Sequence, residues 1–481
     1  MIDTETSNNN LTKKRSGPPN RMNDLIYRDW MKFQKSFFRF KDYQNLIEEC
    51  VCFFTKAIWP DNRPSQTLII GFEDINKEMI PKPRQIEYKS VKSIGEIVKI
   101  LKQKEEYYDF VLIDLTNIDS EEKLADFLNN DADLLFYSLR RSMVTFRYCG
   151  VVSKLPRTNG SGFPIPWSIA FSSRNHLRLR DEKVGLVEAT GQILYCLFMQ
   201  AEDDSELAKK VFPNELSIFN GNIEIPSWTI PKSPPRSSIE VLHPAKFPET
   251  LVEEFIKLFT KPGDNVFDPM AGTGSTLIAA LRNERNAIGV ELSPEWASIG
   301  QNRLNYELQP TLFGEPLQKA KMLQGDATNL DAIGQLNGVY FDYVVTSPPY
   351  WSMLTNPGSE NQRNRRNKNL PLTYSKDQND LGNIQDYNDF LDKLVNVYDD
   401  VVKKLNSGGF ITIVVKNVKR NHILYCLAWD LTIRLCQKDK LLEYAGTTLW
   451  CQDDVGLKPF AVGTHWVSNI LHQYCLHFRK K

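Results

Sequence analysis

The residues best equipped for chemistry form one short run, Val344-Val345-Thr346-Ser347-Pro348-Pro349-Tyr350-Trp351. The Ser347 hydroxyl and the Pro348 carbonyl are two acceptors held close together. The prolines carry no N–H and keep the chain extended, so the carbonyls beside them can face a ligand instead of a helix. Two such acceptors can take both hydrogens of a planar amino group, draw its lone pair out of conjugation and aim it at an electrophile. Serine can also donate to a ring nitrogen. Tyr350 adds a flat face for a ring. Work of this kind rests on positioning and requires no metal. Taken alone, the run also fits a plain Pro-Pro turn after a strand.

A second run lies upstream, Asp268-Pro269-Met270-Ala271-Gly272-Thr273-Gly274-Ser275-Thr276, with Ser347 79 residues after Asp268. Asn265-Val266-Phe267 reads as the end of a buried strand and 275–281 as the start of a helix, so the turn between them aims backbone N–H groups at a ligand. Its small residues let the backbone approach that ligand without a side-chain clash. A dinucleotide fingerprint would need a third glycine. A triphosphate loop would need Gly-Lys-Ser/Thr, and Gly274-Ser275-Thr276 has no lysine. An ordinary glycine turn is the other reading of this run by itself. The next strand, 286–290, ends at Glu291-Leu292, and Glu291 falls 23 residues after Asp268, the span of one strand–helix–strand step. An acid there can accept both hydroxyls of a ribose. Asp326-Ala327 follows a third strand-like run, 321–325. Solvated acids at strand ends are common, but regular placement after successive strands favours a nucleoside pocket.

Together the two runs resemble the cofactor and catalytic motifs of the amino-methyltransferases of DNA. These enzymes move a methyl group from S-adenosylmethionine to the exocyclic amine of a base taken out of its stack. The resemblance implies a cofactor pocket made by Asp268 to Thr276, by Glu291 and Leu292, and by Asp326 and Ala327, with Asp326 on the adenine amine. It extends to His243-Pro244-Ala245-Lys246-Phe247-Pro248, which is similar to the family's HPAxFP segment. That match implies His243, Ala245, Lys246 and Phe247 at the methionine end of the cofactor, with no acid–base role for His243. It also implies Ser347, Pro348, Pro349 and Tyr350 as the catalytic residues. In this family serine before Pro-Pro-Tyr is typical of cytosine-N4 enzymes and Asp or Asn of adenine-N6 enzymes, so the resemblance favours cytosine N4. Adenine N6, or an RNA methyltransferase of similar fold, is the alternative. The implied partner is double-stranded DNA, in a setting with a cognate restriction endonuclease or defence-system subunits. One departure stands out. Many such enzymes place Ser-Pro-Pro-Tyr before the glycine turn, with a target-recognition insert between; here the order is reversed and no such insert intervenes. The base-reading surface is therefore expected in the N-terminal half or after Trp351. Residues 356–369 are rich in Asn and carry Arg363, Arg365, Arg366 and Lys368 against one acid. Such residues contact phosphates and base edges, although a charged run is also what a solvated loop looks like.

These motifs need an α/β frame: a Rossmann-like class I methyltransferase sheet in the C-terminal half and a second α/β domain in the N-terminal half. The 481 residues suffice for two or three domains. The expected division is a flexible tail at 1–22, an N-terminal domain at 23–230, a linker at 231–240 around Ser233-Pro234-Pro235-Arg236-Ser237-Ser238, and the catalytic domain at 241–481. Lys plus Arg equals Asp plus Glu at 59 each, so nucleic acid would meet a local basic cleft and not a basic surface. Eight cysteines without a CxxC pair indicate neither a zinc site nor a disulfide framework, and no apolar run reaches membrane length, which points to the cytoplasm. In the N-terminal half, 66–72 and 109–115 read as buried strands with a helix between them. Tyr-Asp-Phe-Val-Leu-Ile-Asp-Leu at 108–115 parallels Phe-Asp-Tyr-Val-Val-Thr-Ser-Pro at 341–348, and 192–200 parallels 472–480. That half is either a decayed methyltransferase-type unit without cofactor or an unrelated α/β domain. Arg174, His176, Arg178 and Arg180 alternate as on a solvated strand face, where they can meet phosphates. In the C-terminal half, 389–405 reads as a helix stopped by Asn406-Ser407-Gly408-Gly409.

Overall fold

The structure is a computed structural model that describes residues 22–154 apart from 74, 77 and 79, then 164–202, 216–231, 247–309, 318–351, 380–420, 423–452 and 470–481. The first sheet contains β1 (Phe37–Phe40), β2 (Gln66–Ile70), β3 (Gln85–Lys89), β4 (Tyr108–Asp114), β5 (Met143–Lys154), β6 (Arg178–Val187) and β7 (Gln192–Gln200), in the order β1-β6-β7-β5-β4-β2-β3. The second contains β8 (Trp228–Thr229), β9 (Asn265–Asp268), β10 (Asn286–Glu291), β11 (Ala320–Gln324), β12 (Phe341–Thr346) and β13 (Leu405–Val415). A short hairpin of β14 (Val418–Arg420) and β15 (Ile423–Tyr425) follows, and β16 (Leu442–Cys451) and β17 (His472–Lys480) complete the second sheet in the order β11-β10-β9-β12-β13-β17-β16-β8.

The central strands are continuous apolar runs because helices cover both faces of a parallel sheet. β4 is buried over its first six residues, and β12 buries Phe341 and Tyr343 to Thr346. The helix Glu249–Phe259 buries Leu251, Val252, Phe255 and Ile256, the 3.6-residue spacing of one face. The helix Tyr387–Lys403 starts where the Asp386 side chain accepts from the Asn388 and Asp389 N–H groups, two residues before the expected start. One hydrophobic cluster runs through both sheets. At their junction the rings of Trp167 and Trp429 lie 5.8 Å apart, and those of Trp167 and Tyr474 5.2 Å.

Three expectations change. Between β2 and β4 lies a further strand, β3, as well as the helix Ile94–Leu101. Residues 406–409 do not stop a helix: the helix ends at Lys403, and these residues form a bulge at the start of β13, where pairing slips between Phe341↔Leu405 and Tyr343↔Phe410. The basic alternation at 174–180 is not a solvated face. Arg174 caps the helix Ile165–Ser173 and β6 begins only at Arg178, so the four residues share no strand face. Arg174 and Arg180 are buried; Arg174 pairs with Asp430 at 3.8 Å, and Arg180 donates to Gln200 Oε1 and Glu202 Oε2, both at 2.8 Å. Residues 1–21 of the expected tail and the linker at 233–238 lie outside the described residues, while Met22 is buried in the first sheet's core. Among the described residues no helix is long and apolar enough to cross a membrane.

Candidate active site

In the second sheet the chain runs from β9 outward to β10 and β11, then returns beside β9 as β12 and continues to β13. Ligands of open α/β sheets bind at the carboxyl ends of the strands where the order reverses in this way. Asp268, Glu291 and Ser347 stand at or directly beyond the ends of β9, β10 and β12, and Asp326 lies two residues beyond β11. The predicted residues are thus gathered along one edge.

The glycine turn is held from inside. Asp268 Oδ2 accepts from Thr276 Oγ1 at 2.6 Å and Oδ1 from the Met270 N–H at 3.1 Å. Burial pushes its carboxyl up to about 6, against the opposing pull of those donors. Gly274 takes φ 81° to enter the helix Ser275–Arg282, and a Cβ there would stand 3.2 Å from Met322 Cε. Glu291 accepts from Gly272 N at 2.8 Å and Ser293 N at 2.9 Å, while burial raises its carboxyl. Asp326 Oδ1 takes the Thr328 N–H and hydroxyl, both at 2.8 Å. Ala271, Thr273, Ser275 and Ala327 are buried in the walls, and Met270 packs against the core. Phe247 is buried against Leu251 and Val266. His243, Ala245 and Lys246 lie outside the described residues, as do Arg363, Arg365, Arg366 and Lys368.

The catalytic run is anchored by residues that the sequence did not single out. Ser347 Oγ donates to the Val414 carbonyl at 3.0 Å. The Tyr350 hydroxyl lies farther from the same oxygen, at 3.4 Å, so the proton goes to β13 as the nearer acceptor and a lone pair is left to accept. Tyr350 is buried, with its hydroxyl pushed up to about 12, and it donates to Gln473 Oε1 at 2.5 Å. An incoming ring would meet it as a pocket wall, not an open platform. Trp351 packs against Tyr387 and Tyr425 with ring centroids 5.0 and 4.7 Å away. Behind the glycine turn, Arg303 donates to the Thr273 carbonyl at 2.6 Å and to Glu249 Oε1 at 2.7 Å. None of these partners carried a signal in the sequence: Gln473 sits in a strand that also holds His472, His477, Arg479 and Lys480.

This sheet is of the Rossmann-like class I methyltransferase fold, and the cofactor is S-adenosylmethionine. The residues present fit that group: a glycine turn where a side chain at Gly274 would be tight against Met322 and strained at φ 81°, a carboxylate fixed by two N–H groups at the second strand end, and a further acid beyond the third. Residues 10–302 match the family described as DNA methylase, and the chain belongs to that family. It is 38% identical over 107 residues to the orphan methyltransferase M.BamHII of Bacillus amyloliquefaciens, covering 21% of this chain and 40% of that one. It is 45% identical over 144 residues to the putative methylase YubD of Escherichia coli, covering 30% and 56%. Over 63 residues it is 38% identical to YhdJ of the same organism, named as a DNA adenine methyltransferase, covering 13% and 21%. The chain spans about half the length, or less, of these relatives.

Proposed function

We propose that this protein methylates the exocyclic amine of a base in double-stranded DNA, with cytosine N4 as the target. The observation that carries the reading is the Ser347 hydrogen bond to Val414. It leaves a lone pair of Ser347 Oγ as an acceptor beside the Pro348 carbonyl. The two would take the two N–H groups of the amine and hold its lone pair out of the ring plane. Bound S-adenosylmethionine supplies a methyl group on a positively charged sulfur. Asp268 and Arg303 shape the turn beneath it, Glu291 holds the ribose and Asp326 the adenine. Tyr350, locked by Gln473, walls the pocket for the flipped base. Arg363, Arg365, Arg366 and Lys368 would bind DNA phosphates, and the setting would be restriction–modification.

Mass spectrometry of digested DNA after reaction tests this: N4-methylcytosine is expected. The resemblance to YhdJ favours a second reading, adenine N6. N6-methyladenine as sole product would change the base and keep the reaction. No modified base in DNA, with methylation of RNA instead, would overturn the substrate.

A further inference from the structure

The two sheets agree in details that a shared topology does not require. Pairing between β4 and β5 slips from Tyr108↔Met143 to Phe110↔Tyr148, and between β12 and β13 from Phe341↔Leu405 to Tyr343↔Phe410. Both bulges thus place five residues against two, and both carry a left-handed residue at the same point, Phe146 at φ 66° and Gly408 at φ 78°. A second bulge recurs as well. It falls between Leu179↔Met199 and Asp181↔Phe198 in one sheet and between Tyr444↔Phe478 and Gly446↔His477 in the other.

Two side-chain locks repeat. Arg84 Nε and Arg285 Nε each donate at 2.9 Å to the hydroxyl of the threonine that ends the helix before the neighbouring strand, Thr55 before β2 and Thr260 before β9. Asp109 and Asp342 each accept the N–H that opens the neighbouring strand, from Gln66 at 3.0 Å and Asn265 at 2.9 Å. Bulges of this kind are inherited features of a fold, not accidents. The N-terminal half is therefore read as a second copy of the catalytic unit.

The same registers show what that copy lacks. Ile69 stands where the catalytic unit has Asp268, Ser90 where it has Glu291, and Asp114-Leu115-Thr116 where it has Ser347-Pro348-Pro349. Neither strand-end acid is kept at these positions, and although Asp114 replaces Ser347, its carboxylate accepts the Thr116 N–H at 2.8 Å and the Leu115 carbonyl accepts the Ile118 N–H at 3.1 Å. The copies also face each other symmetrically. Trp167 and Trp429 are each the third residue of equivalent helices, Ile165–Ser173 and Leu427–Leu435, and they meet. Tyr195 and Tyr474 are equivalent in β7 and β17, and they are also neighbours. Equivalent residues that meet in this way are what an isologous twofold dimer places at its axis.

At this junction the silent copy reaches the strands that hold the catalytic run. Ser36 Oγ accepts the Leu471 N–H at 2.7 Å and meets His472 Nδ1 at 2.8 Å, next to Gln473, which fixes Tyr350. Glu182 Oε1 accepts from Asn417 Nδ2 at 2.5 Å, and Asn417 lies three residues beyond Val414, which fixes Ser347. Asn417 Oδ1 in turn takes the Ala428 N–H at 3.0 Å, opening the helix that carries Trp429. All four junction residues, Ser36, Glu182, Asn417 and His472, are buried.

We propose that the N-terminal half is a chemically silent duplicate of the catalytic unit, docked on it as the second subunit of a twofold dimer would be, and that Glu182 and Ser36 are positioning residues for Ser347 and Tyr350. The positioning part rests on the methyl-transfer reading above; the silent-duplicate part does not. The test uses the full chain. Calorimetric titration with S-adenosylmethionine should give one site per chain, lost in Gly272→Asp; two sites, or one surviving in that variant, would overturn the silent assignment whatever the substrate. Glu182→Ala should lower kcat on DNA about tenfold or more while KM for the cofactor changes less than about twofold. Glu182→Gln, which keeps an acceptor for Asn417, should restore most of kcat. Asn417→Ala, which also frees the Ala428 N–H, should lower kcat at least as much as Glu182→Ala, and the double variant should be no slower than Asn417→Ala, since both remove the Glu182–Asn417 contact. Unchanged kcat in Glu182→Ala and Ser36→Ala, or equal damage by Glu182→Ala and Glu182→Gln, would overturn the positioning role. Should Glu182→Ala fail to fold, Ser36→Ala carries the same comparison. A wild-type chain that methylates no DNA would overturn the methyl-transfer reading and the positioning role with it, leaving the stoichiometry arm to decide the duplication.

Discussion

At the scale of single residues, the site sorts by where each proton sits. Ser347 gives its hydrogen to Val414, the nearer of its two acceptors, and keeps a lone pair for the proposed substrate, so Ser347→Ala should act chiefly on the reacting nitrogen. A loss of roughly 10- to 1,000-fold in kcat is expected, with cofactor affinity nearly unchanged, as for other donors or acceptors that act in the transition state. Steady-state kinetics beside calorimetry read the two separately, and an equal loss in both would count against the role. Asp268 gives a pH signature. Burial holds its folded value at about 6 against an ordinary 3.8, so the protonated carboxyl stabilises the fold below about pH 4, and that contribution fades as pH rises through 6. The difference is on the order of 3 kcal/mol. Urea unfolding of Asp268→Asn and wild type at pH 4.5 and 7.5 should therefore show wild type losing stability relative to the variant on going to the higher pH. A gap that stays constant would mean the carboxyl does not titrate in this window. The predicted glycine turn and the two strand-end acids were legible because each sits within a few residues of its strand. Gln473 and Glu249 were not, because their partners stand 123 and 26 residues away in the chain and no local pattern links them.

At the scale of elements, the apolar runs specified β4, β9, β12 and β17 to within a residue or two, since a strand buried on both faces has little freedom in composition. The polar edge strand β3, Gln-Ile-Glu-Tyr-Lys, escaped notice because half-exposed alternation over five residues resembles a loop. The bulge at 406–409 was misread for a related reason: Gly408-Gly409 signals a helix stop and a bulge alike. Its counterpart offers a test. Phe146 is half exposed yet held at φ 66°, which costs a side-chain-bearing residue about 1–2 kcal/mol, whereas glycine loses roughly 0.5–1 kcal/mol to chain entropy. The strain term is the larger, so Phe146→Gly should raise stability slightly, by up to about 1 kcal/mol, and Phe146→Ala should not. Thermal unfolding of the pair distinguishes backbone relief from loss of the ring. Destabilisation by both to the same degree would mean that the ring, not the backbone, matters there.

At the scale of the whole molecule, the two halves share a core instead of merely being joined. Trp167, Tyr195, Trp429 and Tyr474 are buried together, and the polar contacts from Ser36, Asp181 and Glu182 reach residues more than 200 positions away, among them Lys419 and Asn417. Exposing that surface would leave an aromatic patch and buried polar groups without partners, a combination that costs several kcal/mol against a domain's total of 5–15. The catalytic half is therefore not expected to stand alone, although it holds every residue proposed to bind the cofactor. Expressed by itself, 231–481 should be insoluble or bind S-adenosylmethionine at least about tenfold more weakly than the full chain. Co-expression with 1–230 should recover a complex that binds one cofactor, because the junction is built from both sides. Size-exclusion chromatography with calorimetry reads both outcomes. A soluble 231–481 fragment with full cofactor affinity and full turnover would show that the silent half contributes neither stability nor positioning, and the contacts of Ser36 and Glu182 would then be packing without consequence for the reaction.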